Sequence, residues 1–444
     1  REYAAEHLRT EGRFEGSGPD TRAAAEARHS CFFARLDPKV ATSGAGAELD
    51  NLVAACRRAT AWNDAAIAVA ALRRAWGVLR LRGPFRVGIE LAEAVNRIAP
   101  LDGRDRVEAD LILGSALQLS GLAVQAQARL LAAQAGARAL GDSDLEGRAL
   151  HPLATLQAQS GEIDMAAQSY ERAMACACDG TDRSQECAVL NGLGAFSESL
   201  GRIDEARLLY ARALALARAV GDRRWEGGTA GNLAGWFASQ GSPAEARTLY
   251  AQSIAIATEL GDSQWEANAL CNLGLLHHAE GRFDDAQRAL EASLATARDL
   301  GHARLLCIVQ CNLGLVAEAR GDPAAALGHH EAALTLARDL ADRRSEGQFL
   351  GHVGLLHARQ GRVEAARECL AAGEALLLGM SDRVSLGILL CASAQAHHLA
   401  GNLGAAGAAL HQASELAAAV GDTSAKSEFG LALQQARAIA FMPA

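Results

Sequence analysis

Histidine, cysteine and serine are plentiful enough in this 444-residue chain to support chemistry, but their spacing assembles no catalytic site. Three histidine doublets, His277-His278, His329-His330 and His397-His398, invite a metal reading. Adjacent residues on a helix point about 100° apart, and no H-E-x-x-H spacing puts two imidazoles and a carboxylate on one face. His352 and His357 are five apart, which is also a poor spacing. These histidines read as helix-surface or core-edge residues, and no metal ligand is expected from them. Nucleotide hydrolysis through a P-loop needs G-x-x-x-x-G-K followed by Ser or Thr, yet Lys39 follows Pro38 and Lys426 follows Ala425. There is no G-x-S-x-G elbow to present a serine nucleophile. The expectation is a non-enzymatic segment with no cofactor.

The ten cysteines form no C-x-x-C pair, and Cys271, Cys311 and Cys391 lie in apolar helical text. They read as small core residues in a reducing, cytoplasmic setting. No apolar run reaches membrane-spanning length and no signal peptide is recognisable. The chain begins at Arg1 without Met, so it is expected to be a piece of something longer.

A net charge of −9 disfavours nucleic acid or an anionic membrane as the main partner, since both need clustered cations. The one local basic stretch is "LRRAWGVLRLRGPFR" (72–86), where Arg73, Arg74, Arg80, Arg82 and Arg86 surround Trp76. In so acidic a chain it is expected to pair with another domain's acidic face or to be a solvated helix side rather than to meet phosphates. Of 43 basic residues only Lys39 and Lys426 are lysines, which need not have a mechanistic meaning.

The chain repeats itself. "CNLGLLHHAEGRFDDA" (271–286) returns forty residues later as "CNLGLVAEARGDPAAA" (311–326). Rows of forty counted from residue 101 align Gly121, Gly161, Gly201, Gly241, Gly281, Gly321, Gly361 and Gly401, a coincidence with odds of about one in 10⁸. Five residues on stand Ala126, Ala166, Ala206, Ala246, Ala286, Ala326, Ala366 and Ala406. With 4% aromatic residues and much Ala and Leu, each row reads as two helices. The column glycine ends the first in a left-handed cap, and Ser242-Pro243 or Asp322-Pro323 opens the second. Asp204, Glu205, Asp284 and Asp285 suit its first turn. The second helix ends near Gly221, Gly261 and Gly301, and Ser143 to Glu146 or Ser263 to Glu266 fits a capping box for the next row. Gly194, Gly274, Gly314 and Gly354 allow close helix approach, while Tyr170, Tyr210, Tyr250 and Leu290 are expected to fill space between neighbouring rows.

Leu193-Gly194, Ala206 and Tyr210, like Leu273-Gly274, Ala286 and Leu290, resemble the L-G…A-x₃-F pattern of the tetratricopeptide repeat. Forty residues matches a long-helix form of that repeat. The resemblance covers eight repeats over residues 101–420, followed by a closing helix in 421–440 and the tail to 444. Val353 and Ser393 depart from the leucine, and "GEALLLGM" (373–380) departs from the usual helix ending, as capping rows would. The resemblance implies an all-α, right-handed superhelical solenoid of antiparallel helix pairs, its first helices lining a concave groove. It points Asn268, Cys271, Asn272, Leu275 and His278 inward, with Asn191, Asn232, Cys311, Asn312, Leu315 and Glu318 at related positions. Asn232, Asn272 and Asn312 would form a ladder, its amides either binding a peptide backbone or bridging neighbouring helices.

Residues 1–100 lack the columns but read as helical, with loops at "EGSGPD" (15–20) and "DPKVATSGAGAE" (37–48). "REYAAEHL" (1–8), "RHSCFF" (28–33), "LDNLVAACRRA" (49–59) and "WGVLRLRG" (76–83) resemble the segment after the winged helix in bacterial STAND signal-transducing ATPases. This resemblance implies the sensor arm of such a regulator, with the ATPase and winged helix upstream. Its partner would be a protein, a peptide, those upstream domains or a small-molecule inducer, with no direct nucleic acid and no membrane. A freestanding tetratricopeptide adaptor that collects partner peptides is the alternative.

Overall fold

A computed structural model of the chain describes residues 19–42, 47–101, 103–180, 182–380, 382–420 and 428–440. Every regular element among these residues is an α-helix, 22 in number, and none of the helices is long and apolar enough to cross a membrane. The fold is an all-α solenoid of helix pairs. Two compact units divide it, Arg1–Pro152 and Leu153–Ala444.

In the first unit, Leu52, Leu72, Leu79, Phe85 and Leu113 are fully buried among the helices Leu49–Ala61, Ala65–Arg82, Phe85–Asn96 and Gly103–Leu119. The basic stretch is absorbed within the unit. Arg74 Nε donates to the Leu36 carbonyl at 2.6 Å, Arg86 pairs with Glu90 at 3.2 Å, and Arg73 faces the buried Glu108 at 3.9 Å. Arg80 and Arg82 are engaged as well. Trp76 lies against Gly88, where a methyl group would come within 2.8 Å of its ring.

The two expected loops are partly helical. Pro19 and Asp20 already open the helix Pro19–Ala34, and Pro38–Thr42 forms a short helix of its own, each with proline at the first helical position. Segments 1–8, 15–18 and 43–46, where parts of these readings fall, lie outside the described residues.

In the second unit each row is a helix pair, such as Ser263–Ala279 with Phe283–Leu300. The column glycines from Gly161 to Gly401 take positive φ, between 72° and 81°, as does Gly121 in the first unit at 82°. That conformation clashes with a Cβ and ends the helix. Gly221, Gly261 and Gly301 cap the second helices in the same way, whereas Ala341 takes φ 52° at the equivalent position. Val363–Leu378 ends instead on Gly379 at φ −67°, where "GEALLLGM" departs from the pattern.

The capping boxes begin one residue earlier than Ser143 and Ser263. Asp142 and Asp262 are the caps, each accepting a backbone hydrogen three residues on, from Leu145 at 3.0 Å and Trp265 at 3.1 Å. A carboxylate is the stronger acceptor, so the serine is drawn into the first turn. Asp182, Asp222, Asp342 and Asp382 repeat this cap, and His302 stands in for it in one row. Asp322 caps the helix opened by Pro323, while the Ser242 side chain makes no cap bond. The cap aspartates also join rows. Arg224 reaches Asp262 at 2.8 Å, Arg304 reaches Asp342 at 3.0 Å, and Arg344 reaches Asp382 at 2.7 Å.

The large second-helix residues fill space between rows as expected, Tyr170 meeting Phe196 with ring centroids 5.5 Å apart and Tyr210 clustering with Ala230 and Leu233, and they also close on the first helix of their own row. A methyl group added at Gly194 would lie 2.5 Å from the Tyr210 ring, and one at Gly274 would lie 2.7 Å from Leu290. Bare glycine is what lets the paired helices close on these side chains. The helix Glu428–Ala440 packs Phe429, fully buried, onto Gly387 of the last row. Residues 421–427 of the expected closing helix lie outside the described residues.

Candidate binding groove on the first helices

On Ser263–Ala279, Ala267, Cys271 and Gly274 face the core, while Asn268, Asn272, Leu275 and His278 are half-buried. The second helices carry exposed apolar side chains instead, with Leu208 61% and Leu403 58% exposed. The half-buried stripe is thus a surface distinct from both the core and the outer face. Leu315 and Glu318 of the next row share it. Asn191, Cys271, Cys311 and Asn312 are buried beneath it. Burial raises the Cys271 thiol to about 12, partly opposed by the Asn312 amide, so it is a neutral core group.

The asparagines make row-to-row bonds. Asn232 Nδ2 donates to Asn191 Oδ1 at 3.2 Å, and Asn312 Nδ2 donates to Cys271 Sγ at 3.4 Å, each reaching back 41 residues. The residue 41 before Asn272 is Gly231, which has no side chain, and Asn272 makes no side-chain hydrogen bond among the described residues. Asn232 and Asn312 therefore bridge helices, and Asn272 alone of the three keeps its whole amide available. Asn268 Nδ2 donates to the Gln264 carbonyl at 2.8 Å within its own helix. His278 packs against Phe283, with ring centroids 5.9 Å apart, and burial holds its pKa below the ordinary histidine value despite a bond to the Leu315 backbone.

Beside the stripe are two polar pairs that local spacing does not disclose. Tyr210 Oη donates to Glu198 Oε2 at 2.9 Å, and His330 Nε2 lies 2.9 Å from Glu318 Oε1. Burial raises the Glu198 carboxyl, partly offset by Tyr210. Burial pushes Glu318 the same way, but the His330 bond and the nearby His330, His352 and Arg359 outweigh it, leaving Glu318 below its ordinary value. Arg359 Nη1 donates to Glu318 Oε2 at 2.6 Å. His352, from the next row, stacks on His330 with centroids 5.0 Å apart and planes within 6°. Burial and then the His330 charge lower His352 to about 4, so it is neutral at pH 7. The only sequence signal for these pairs was columnar. Glu198 and Glu318 share one column of the repeat, Tyr210 and His330 another.

A family model described as the tetratricopeptide repeat matches residues 185–259 and 225–299, and a second of the same description matches residues 312–344. No curated protein sequence matches the chain. Among solved structures, a Rap protein complexed with Competence and Sporulation Factor is similar over 76% of this chain and 98% of its own, at 14% identity and TM-score 0.52. A STAND protein with a tetratricopeptide repeat sensor from Pyrococcus horikoshii aligns over 78% of this chain and 55% of its own, at 13% identity and TM-score 0.49. Aspartyl phosphate phosphatase F from Bacillus subtilis aligns over 77% and 91%, at 12% identity and TM-score 0.48. Residues 185–299 and 312–344 are thus tetratricopeptide repeats, and the column pattern and helix pairing continue on either side of them.

Proposed function

We propose that this chain is a binding arm that seats an extended segment of a partner protein along the half-buried stripe of its first helices. The observation that carries this reading is Asn272. Its half-buried amide makes no side-chain hydrogen bond among the described residues, whereas Asn232 and Asn312 each donate one amide hydrogen to the preceding row. A peptide backbone offers the complementary donors and acceptors, and its side chains can use Leu275 and Leu315. The Rap protein of similar fold is itself in complex with a factor, in agreement with a fold that seats partners.

In the finer reading the chain is the sensor arm of a STAND-type signalling or transcriptional regulator, on the strength of segments 28–33, 49–59 and 76–83. The groove would then hold a protein, a small inducer or the regulator's own ATPase and winged-helix part, and act from the cytoplasm. Only a difference in affinity between two packings of the array would move such a switch. A freestanding adaptor is the second reading, and it needs no upstream domain. No step of chemistry is assigned to the chain itself.

Peptides selected from a displayed random library on the full chain test the groove. Binding should fall at least tenfold in Leu275→Arg combined with Leu315→Arg, and several-fold in Asn272→Ala, with helicity unchanged. Equal binding by all three proteins would place the ligand elsewhere. An upstream P-loop and winged helix in the same reading frame would favour the sensor arm over the adaptor.

A further inference from the structure

We propose that Glu318, His330 and His352 form a binding site for one divalent transition-metal ion of the zinc type. The three side chains come from three successive helices, Ala303–Ala319, Pro323–Asp339 and Arg343–Arg359, and one donor atom of each lies within 4.8 Å of the others. Two imidazole nitrogens and one carboxylate oxygen are a donor set that zinc and its neighbours favour over calcium or magnesium.

The repeat supplies an internal comparison. Row 181 places Glu198, Tyr210 and, one row on, Asn232 in the same three columns. There the trio is a carboxylate, a phenol and an amide, all committed to hydrogen bonds, with Tyr210 on Glu198 and Asn232 on Asn191. Around Glu318 of row 301 both neutral positions become histidine, His330 in that row and His352 one row on. Two columns change at one place, and each change installs a metal-binding nitrogen.

The surroundings fit. His330 is fully buried, and its Nδ1 has no hydrogen-bond partner among the described residues. Its ring lies over Gly314, where a methyl group would come within 2.5 Å, so the bare backbone is what admits the imidazole. Arg359 on Glu318 Oε2 leaves Oε1 for the ion and fixes the plane of the carboxylate, as outer-shell partners of metal ligands do. Metal–ligand bonds of about 2.0–2.2 Å need donors about 3.5 Å apart. Glu318 and His330 already stand at 2.9 Å, and the half-buried His352 has room to complete the set. Three protein donors leave a fourth tetrahedral position for water or for an oxygen, nitrogen or sulfur donor. This site does not depend on what occupies the groove.

The test is titration of the chelator-treated full chain with Zn²⁺ and with Co²⁺. One ion should bind per chain with a dissociation constant below about 1 µM, weakened at least about tenfold by His352→Ala and by Glu318→Gln while helicity is kept. Co²⁺ should give visible bands without a thiolate charge-transfer band, which separates this site from the cysteines. Absence of any site tighter than about 100 µM, equal affinity in both variants, or a thiolate band would overturn the proposal. Should His352→Ala fail to fold, Glu318→Gln alone decides.

Discussion

Tyr210 Oη donates to Glu198 Oε2 at 2.9 Å, joining the second helix of a row to its first across twelve residues of sequence, and His330 meets Glu318 at the same distance and separation. The Tyr210 side chain is almost wholly buried, and Glu198 is its phenol's one hydrogen-bond partner among the described residues. Removing the hydroxyl leaves the half-buried Glu198 without a donor. Tyr210→Phe should cost about 1–2 kcal/mol, measured by urea unfolding. An unchanged midpoint would mean that water replaces the hydroxyl at no cost.

His302 is the exception among the aspartate caps, and it carries a pH dependence. Its Nδ1 accepts the Leu305 backbone hydrogen at 3.3 Å, a role open only to neutral imidazole. Burial, aided by Arg304, lowers its pKa from 6.5 to about 4. The unfolded chain therefore binds a proton between those values that the folded chain does not. The stability this group contributes is fully present above pH 6.5 and is lost as the pH falls towards 4. His302→Asp should restore the cap of the other rows, adding about 0.5–1 kcal/mol at pH 7.5 and a larger gain at pH 5. A gain that is the same at both pH values would contradict the assignment.

The fold was legible because its signal is a column. A left-handed glycine cap tolerates little else, so Gly161 to Gly401 mark every turn, and the apolar spacing between them fixes the helix pair. Local capping was less legible, since Asp262 and Ser263 are both good N-caps and only the backbone decides between them. Packing partners were half legible for Tyr210 and Leu290, which meet the next row as expected and also the bare glycine of their own row, because a four-residue spacing gives the face of a helix and not every neighbour it meets. The histidine cluster was hidden for a similar reason. His330 and His352 sit on different helices 22 residues apart, and doublets such as His329-His330 drew attention to pairs that diverge.

Backbone conformation and packing at glycine make opposite demands in this chain. Ala341 holds φ 52° where four other rows, at Gly141, Gly221, Gly261 and Gly301, have a left-handed glycine, so Ala341→Gly should stabilise the protein by about 1 kcal/mol. Gly194→Ala should destabilise it by about 1–3 kcal/mol, since the new methyl group meets the Tyr210 ring. Thermal unfolding of the two variants beside the parent checks both signs. A loss in Ala341→Gly would show that the alanine makes a contact worth more than the strain it carries.

The seat of the partner is tested most directly by site-specific photo-cross-linking. A photoreactive amino acid is placed at Leu275 on the half-buried stripe or at Leu208 on an exposed second helix, and a selected peptide is added. Cross-linking from position 275 that is competed by unlabelled peptide, with none from position 208, is the expected result. Equal cross-linking from both, or from position 208 alone, would contradict a groove on the first helices.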